Sequence, residues 1–156
     1  MCFYYKMSNR QGLRDIVEFY SKEDRWHVQL FKYLDIIECG KGDGKNWILS
    51  ELLLRPYLTD AFGTFTAGSF NSFFDMLSVL LSIYISKPFT LTLNLAVNCL
   101  RSVRANEKLR SRIECNDTEE KFLLFKIEVY VGTELVAMGT HKVKILENEF
   151  SLTEKI

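Results

Sequence analysis

The regular alternation of apolar and polar residues in the second half of the chain predicts β-strands. It is clearest where apolar residues are separated by polar or small ones, at Leu91, Leu93, Leu95 and Val97. The same period of two recurs in later segments, at Lys108 to Cys115, Lys121 to Val131 and Glu134 to Leu146. Because successive residues of a strand point to opposite faces, this period indicates strands with one buried face. Such strands in succession, separated by short turns, predict an antiparallel meander.

A glycine-rich hairpin is predicted nearer the N-terminus. Its strands are expected at Leu34 to Ile37 and Trp47 to Pro56, and the sequence GKGDG (40–44) connects them. This connection lacks the Lys-Ser/Thr of a phosphate-binding loop and leads into a strand, so we interpret it as a turn. Before the hairpin, the apolar spacing from Leu13 to about Leu34 predicts one or two amphipathic helices, broken near 21–24 and peripheral to the core.

Between the hairpin and the later strands lies a continuous apolar segment, AGSFNSFFDMLSVLLSIYIS (67–86). It predicts one long buried helix that Lys87-Pro88 would end. A membrane span is disfavoured, because the segment contains Asn71, Asp75 and several serines and lacks basic residues before its N-terminal end. We therefore expect no insertion into a membrane.

This order of elements predicts an α+β fold. A helix that is apolar on most faces must be covered by a curled sheet or by the surface of a partner subunit. We therefore expect an antiparallel sheet wrapped around one long central helix, within an obligate oligomer, since the strands of one protomer would not cover the helix on all sides. The expected domain spans 31–147, with a helical segment at 1–30 before it and a loose tail at 148–156 after it.

The composition narrows the class of protein. A chain of 156 residues with 47% hydrophobic residues is long enough for one domain with its own core. Its 20 basic residues balance 20 acidic ones, so no overall charge would recruit nucleic acid. The cysteines and histidines show no metal-ligand spacing, which predicts reduced thiols, no metal site and an intracellular protein, in the cytoplasm or an organelle.

Asp75 is the first candidate for chemistry, because it is the only charged residue of the predicted helix. A carboxylate in apolar surroundings costs free energy unless it is paired or solvated by a cleft. Such a group could activate water or attack a carbonyl carbon. The alternative is a structural aspartate that bonds to Ser72, to Ser78 or to a loop of a second subunit.

Three short motifs carry a family resemblance. The helix entrance DAFGTFTAG (60–68) resembles N-x-x-G-T-x-H-G-G, with matches at Gly63, Thr64 and Gly68. The next strand, TLNLAVNCLRS (92–102), resembles S-V-D-L-x-I-x-F-L-R-P, and LVAMGTH (135–141) resembles the family's last strand. From about 31 to 146 the chain therefore resembles hotdog-fold acyl-CoA thioesterases of the phenylacetate-pathway and 4-hydroxybenzoyl-CoA type.

The resemblance implies hydrolysis of acyl-CoA, fatty or aryl, to the free acid and coenzyme A, in lipid metabolism. It implies a homodimer or a dimer of dimers, with each site at a dimer interface, and no cofactor beyond the coenzyme A of the substrate. Asp60 and the Ala67 N–H of one protomer would face Asp75 and Thr92 of the other. Substrate contacts are expected at the following residues: Gly63, Thr66, Gly68, Arg101 and Lys121.

Two departures from the family pattern affect the expected chemistry. Thr66-Ala67 replace its His-Gly, yet Ala67 keeps a backbone N–H that could bind an oxyanion. Asp60 replaces its Asn, which adds negative charge near the developing oxyanion unless the carboxylate points away or is protonated. These departures keep a second function open, that of a non-catalytic hotdog module that binds acyl-CoA or a protein partner. A hydratase of the same fold is disfavoured, because its Asp/His pair at the helix entrance is absent.

Other candidate residues keep an ordinary structural interpretation. Thr92 would orient a water molecule or would be an outward-facing strand threonine. Arg101 and Lys121 would bind coenzyme A phosphates or would be solvated surface cations. His141 has no serine or cysteine nucleophile motif near it, so we interpret it as a packed or surface histidine rather than a catalyst.

Overall fold

An antiparallel sheet curls around one long helix in this protein. The computed structural model describes residues 10–21, 26–85, 90–116 and 121–146. The helices are α1 (Arg10–Ser21) and α2 (Ala67–Tyr84), with short 3-10 helices at Trp26–Tyr33 and Pro56–Leu58. The strands are β1 (Leu34–Gly42), β2 (Lys45–Leu53), β3 (Thr64–Phe65), β4 (Thr90–Cys99), β5 (Val103–Arg104), β6 (Lys108–Asn116), β7 (Phe122–Val131) and β8 (Glu134–Ile145). The predicted α+β class and the central helix are confirmed.

The predicted hairpin is confirmed, with a tighter turn than expected. Asp43 and Gly44 form its tip, and both have positive φ values, 51° and 71°. A two-residue connection of this kind matches the right-handed twist of its flanking strands. The strands are therefore longer than predicted, because β1 continues to Gly42 and β2 begins at Lys45.

Helix α2 begins at a side-chain cap and buries most of its length in its own sheet. The Thr66 hydroxyl accepts a hydrogen bond from the Ser69 N–H at 3.2 Å. Its largest fully buried side chains are Phe70, Phe73, Phe74, Leu77, Leu80 and Leu81. The sheet of one protomer does not cover the helix on all sides, because Asn71 and Asp75 are exposed, and the expected oligomer stays a prediction. In the part of the chain that the structure describes, no helix is both long and apolar enough to cross a membrane.

The strand order differs from a simple meander. Strands β6, β7 and β8 are consecutive neighbours, but β4 pairs with β8, which gives the order β1-β2-β6-β7-β8-β4. The connection from β4 to β6 therefore crosses from one part of the sheet to another, and its short strand β5 pairs with β3. Alternating apolar residues identify a strand without specifying its neighbour. The consequence for the site is that β4 forms an edge of the sheet.

Gly139 allows β4 to approach both β8 and the helix. A Cβ atom at this position would lie 2.1 Å from the carbonyl oxygen of Ala96 and 2.9 Å from a ring carbon of Phe74. Both distances are shorter than real side-chain contacts allow. The absence of a side chain therefore keeps the edge strand and the helix close together.

The N-terminal helix is not peripheral, contrary to the prediction. Leu13 and Val17 of α1 are buried in the same apolar cluster as the helix α2 side chains. The amphipathic spacing predicts the helix, but it does not identify the surface against which the apolar face of the helix packs. The boundary at 31 stays a prediction, and the tail at 148–156 lies outside the described residues.

Candidate functional site

Asp75 points away from the core, toward the edge where β4 pairs with β8. Its side chain is 52% exposed, whereas its neighbours Phe74 and Met76 are buried. The carboxylate is therefore solvated, which removes the cost expected for a buried charge. The two candidate serine hydroxyls do not donate to it, because Ser72 donates to the Gly68 carbonyl and Ser78 to the Phe74 carbonyl. The structural alternative within the helix is therefore wrong.

His141 brings Asp75 and Thr92 together. Its Nε2 lies 3.0 Å from the Thr92 Oγ1 and 3.8 Å from the Asp75 Oδ1. The helix, the edge strand β4 and strand β8 thus each contribute one polar side chain to the same point. Thr92 pairs with the buried Val143 but is itself exposed at the edge of the sheet, so its role in orienting water stays a prediction.

The strand register explains this meeting. On the helix side of the sheet, Thr92 is paired with Val143 and Leu95 with His141. The register shifts between Thr92 and Asn94, so an irregularity in β4 falls beside the cluster. Such irregularities re-aim side chains at the edges of sheets. The sequence predicted a packed or surface histidine at 141, of which the packed one is found, and it did not reveal that this histidine lies near both site candidates.

The environment of His141 favours its neutral form. Burial lowers the pKa of the imidazole below its ordinary value, because a charged ring is poorly solvated there, and the nearby Asp75 carboxylate acts in the opposite direction. Its Nδ1 is buried without a hydrogen-bond partner among the described residues. The ring therefore presents only Nε2 to the polar cluster.

The entrance of α2 leaves backbone donors open. The Thr66 hydroxyl takes the Ser69 N–H, but no acceptor among the described residues takes the N–H groups of Ala67 and Gly68. Both residues are exposed. Open N–H groups in the first turn of a helix are suited to binding an anion or a developing oxyanion.

Asp60 organises the loop before this entrance. Its Oδ1 accepts hydrogen bonds from the N–H groups of Phe62 at 2.9 Å and Thr64 at 2.8 Å. Gly63 completes the turn with a φ of 73°, and its carbonyl accepts from the Ala105 N–H. A carboxylate or an amide oxygen could fill this local role, since both accept backbone hydrogen bonds.

The two predicted coenzyme A cations lie at different ends of the sheet. Arg101 hydrogen-bonds to Glu107 and to Glu134, at the start of β8, and these carboxylates raise the pKa of its guanidinium, Glu107 more than Glu134. Lys121 is exposed, and its carbonyl accepts from the N–H of Ile145, at the end of β8. Strand β8 is about 35 Å long at 3.3 Å per residue, so within one protomer these cations do not reach the same phosphate.

The helix entrance and Asp75 are also separated. Ala67 and Asp75 are two turns apart on α2, which places them about 12 Å apart along the axis. A thioester group is only a few ångströms across. One protomer therefore does not present both the open N–H groups and the carboxylate to a single reacting carbonyl.

Comparison with known proteins gives structural neighbours. No protein-family model and no curated protein matches the sequence. Zebrafish thioesterase superfamily member 2 has a TM-score of 0.76 and 13% identity, over 88% of this chain and 99% of that chain. A hypothetical thioesterase from Streptococcus pneumoniae, crystallised with coenzyme A, has a TM-score of 0.69 and 15% identity, over 85% of this chain and 95% of that chain.

A third neighbour is an asparagine-to-aspartate variant of the phenylacetic acid degradation protein PaaI from Thermus thermophilus. Its TM-score is 0.62 and its identity 19%, over 73% of this chain and 94% of that chain. At these identities the likeness concerns the fold. The chain thus has the hotdog fold that its thioesterase-superfamily neighbours share, as its motifs predicted.

Proposed function

We propose that this protein hydrolyses acyl-CoA thioesters to the free acid and coenzyme A. The observation that carries the proposal is the position of Asp75, whose carboxylate is open to solvent beside the Thr92 hydroxyl at the sheet edge. A solvated carboxylate with a neighbouring hydroxyl can hold and activate a water molecule. The hotdog fold of the thioesterase neighbours supports the same reaction class.

In the proposed reaction Asp75 acts as the general base. It removes a proton from water while the water oxygen forms a bond to the thioester carbon, and the carbonyl oxygen becomes an oxyanion. The open N–H of Ala67 would stabilise that oxyanion, since a donor aimed at developing charge lowers the barrier. Collapse of the intermediate breaks the carbon–sulfur bond, and the leaving thiolate takes up the proton from Asp75.

We infer that two copies of the chain assemble each site. The separation of about 12 Å between Ala67 and Asp75 leaves each protomer with half of the required groups. Among the described strands, β4 offers an unpaired edge, and it exposes about half of the Leu91 and Leu93 side chains. Unpaired edges and exposed apolar side chains favour association with a second copy. A homodimer, alone or within a dimer of dimers, would place the helix entrance of one protomer opposite Asp75 of the other.

The substrate would enter past the helix entrance. Thr66 caps the helix beside the open N–H groups, Gly68 carries one of them and Gly63 lies in the preceding loop; all three are proposed to contact the acyl or pantetheine part. Lys121 lies at the Thr92 end of the sheet and is available for a coenzyme A phosphate, whereas Arg101 is already engaged by two carboxylates. We therefore favour Lys121 over Arg101 as the phosphate contact.

A non-catalytic module is the second candidate, and Asp60 is the observation that favours it. Its carboxylate lies in the loop just before the helix entrance, where a negative charge would oppose an oxyanion. The same charge interferes much less with binding of a neutral thioester carbonyl. A protein with this feature could bind acyl-CoA without hydrolysing it.

A thiol-release assay with short, medium, long and aryl acyl-CoAs tests the proposal. The proposed function predicts turnover of at least one of these substrates. Calorimetric titration of the same compounds would accompany the assay. Binding without thiol release would favour the non-catalytic module, and the absence of both would contradict the two functions together.

A further inference from the structure

The interior of the site contains a histidine that the proposed reaction does not use. His141 is buried, and three elements pack around its ring: β4 contributes Thr92, α2 contributes Asp75 and β7 contributes Phe125, whose ring centroid lies 6.1 Å away. Among the described residues, Asp75 is the only ionisable group whose charge acts on the pKa of His141. A buried polar ring with one engaged nitrogen requires a chemical explanation.

The contacts of the ring select its tautomer. With the proton on Nδ1, a buried donor would have no acceptor among the described residues, and the bare Nε2 could accept from the Thr92 hydroxyl but would face the Asp75 carboxylate at 3.8 Å. With the proton on Nε2, the ring donates to the Thr92 Oγ1 at 3.0 Å and presents a positive N–H dipole to the carboxylate. The first arrangement leaves a buried N–H donor unpaired and adds a repulsion between the bare Nε2 and the carboxylate. The second arrangement leaves only a buried acceptor, Nδ1, unpaired. The second arrangement is therefore favoured.

We propose that His141, protonated on Nε2, orients the Thr92 hydroxyl for the reaction at Asp75. Because the hydroxyl oxygen accepts from the ring, its own hydrogen must point elsewhere, and Thr92 is exposed to solvent and shares the His141 Nε2 with Asp75. A hydroxyl held in this way donates to a water molecule or to the Asp75 carboxylate. His141 is thus a positioning residue that acts through Thr92.

This inference rests on the proposed function for its catalytic consequence, but its hydrogen-bond arrangement is independent of turnover. The first test is therefore spectroscopic. Long-range proton–nitrogen NMR at neutral pH distinguishes protonated from bare imidazole nitrogens, and the chain has only two histidines, so the signals that His141→Gln removes belong to His141. We expect a protonated Nε2 and a bare Nδ1, with the Nε2 signal shifted in Thr92→Val. A protonated Nδ1, or no response to Thr92→Val, would overturn the proposal.

The second test uses a matched pair of substitutions. A glutamine amide can reach the position of Nε2 and donate to Thr92, whereas leucine has similar bulk and no donor. We expect His141→Leu and Thr92→Val each to lower kcat about ten-fold with little change in KM, and the double variant to be no slower than either alone. His141→Gln should retain more of the parent kcat than His141→Leu.

The outcomes separate this inference from the proposed function. Equal loss in His141→Gln and His141→Leu, or additive losses in the double variant, would contradict positioning through Thr92. If the parent protein releases no thiol from any acyl-CoA, the proposed function fails, and the NMR experiment still decides the hydrogen-bond arrangement. If the parent protein is active, the NMR experiment and the kinetics of the variants must both give the expected result for the inference to stand.

Discussion

The Nε2 of His141 lies 3.8 Å from the Oδ1 of Asp75. The same nitrogen hydrogen-bonds to Thr92 on the edge strand β4, so the His141–Asp75 pair lies at the edge of the sheet. One member of this pair is buried and the other is half exposed. The pair therefore links the protein interior, which controls the charge of the imidazole, to the solvent, from which a nucleophilic water would come. Its consequences can be measured in both stability and rate.

The first prediction concerns stability and pH. Burial holds the pKa of His141 below its ordinary value of 6.5, so on acidification the unfolded chain binds a proton before the folded protein does. The contribution of neutral His141 is fully present above pH 6.5 and is lost as the pH falls from there to the lowered pKa. Urea unfolding at a series of pH values should show a steeper loss for the parent than for His141→Gln. Parallel pH profiles in the two proteins would contradict the burial of a neutral ring.

The second prediction concerns the close approach of β4 to β8. In Gly139→Ala the new methyl group would collide with the Ala96 carbonyl oxygen, which belongs to backbone and cannot rotate away. We expect a loss of about 3 kcal/mol in the free energy of unfolding. Gly42→Ala is the matched control, because a Cβ there meets no atom within 4 Å. Equal stability of the two variants in denaturant unfolding would show that β4 is not held this close.

The third prediction isolates the charge of Asp60. In Asp60→Asn the amide oxygen can still accept from the Phe62 and Thr64 N–H groups, so the loop should keep its shape while the negative charge is lost. If the charge opposes the oxyanion, hydrolysis should become faster with little change in KM. Asp60→Ala is the control for the loop, since it removes the acceptor as well and should lower the unfolding midpoint.

Steady-state kinetics of Asp60→Asn separate the competing roles of this residue. A rise in kcat supports an enzyme slowed by its own aspartate. A collapse of kcat with a retained unfolding midpoint would instead make Asp60 a second catalytic base.

The fourth prediction concerns assembly through the β4 edge. Sedimentation at micromolar concentration should give a multiple of the 18.2 kDa chain mass for the parent protein. Leu93→Lys places a charge on the proposed interface and should shift the protein toward monomer. Leu124→Lys changes a similarly exposed leucine on β7, away from that edge, and should leave the dimer intact. A folded monomeric parent would remove the composite site.

Local patterns in the sequence predicted the elements of the fold well. The hairpin and α2 follow from glycine placement and from a continuous apolar segment, and both signals act over a few neighbouring residues. The position of β4 beside β8 depends on contacts between distant segments. Alternating apolar residues identify a strand but do not show which strand it pairs with. The burial of Leu13 was missed for the same reason.

The site was predicted in part. Asp75 is recognisable because a lone charge in an apolar helix is conspicuous, and its outward direction follows once the helix is placed. His141 carries no local signal, because its role depends on a strand register that brings it beside Thr92 and under Asp75. The engagement of Arg101 by Glu107 and Glu134 is likewise a tertiary property, and a count of basic residues does not reveal it.

The rate of thiol release by Asp75→Asn tests the central claim most directly. The substitution keeps the size of the side chain and removes its basic oxygen, so kcat should fall by about 100-fold or more on any acyl-CoA that the parent hydrolyses. The matched control is Asp35→Asn on β1, an exposed carboxylate paired with Arg14, which should hydrolyse at the parent rate. Near-parental thiol release by Asp75→Asn, with the control also unchanged, would contradict the assignment of Asp75 as the catalytic carboxylate.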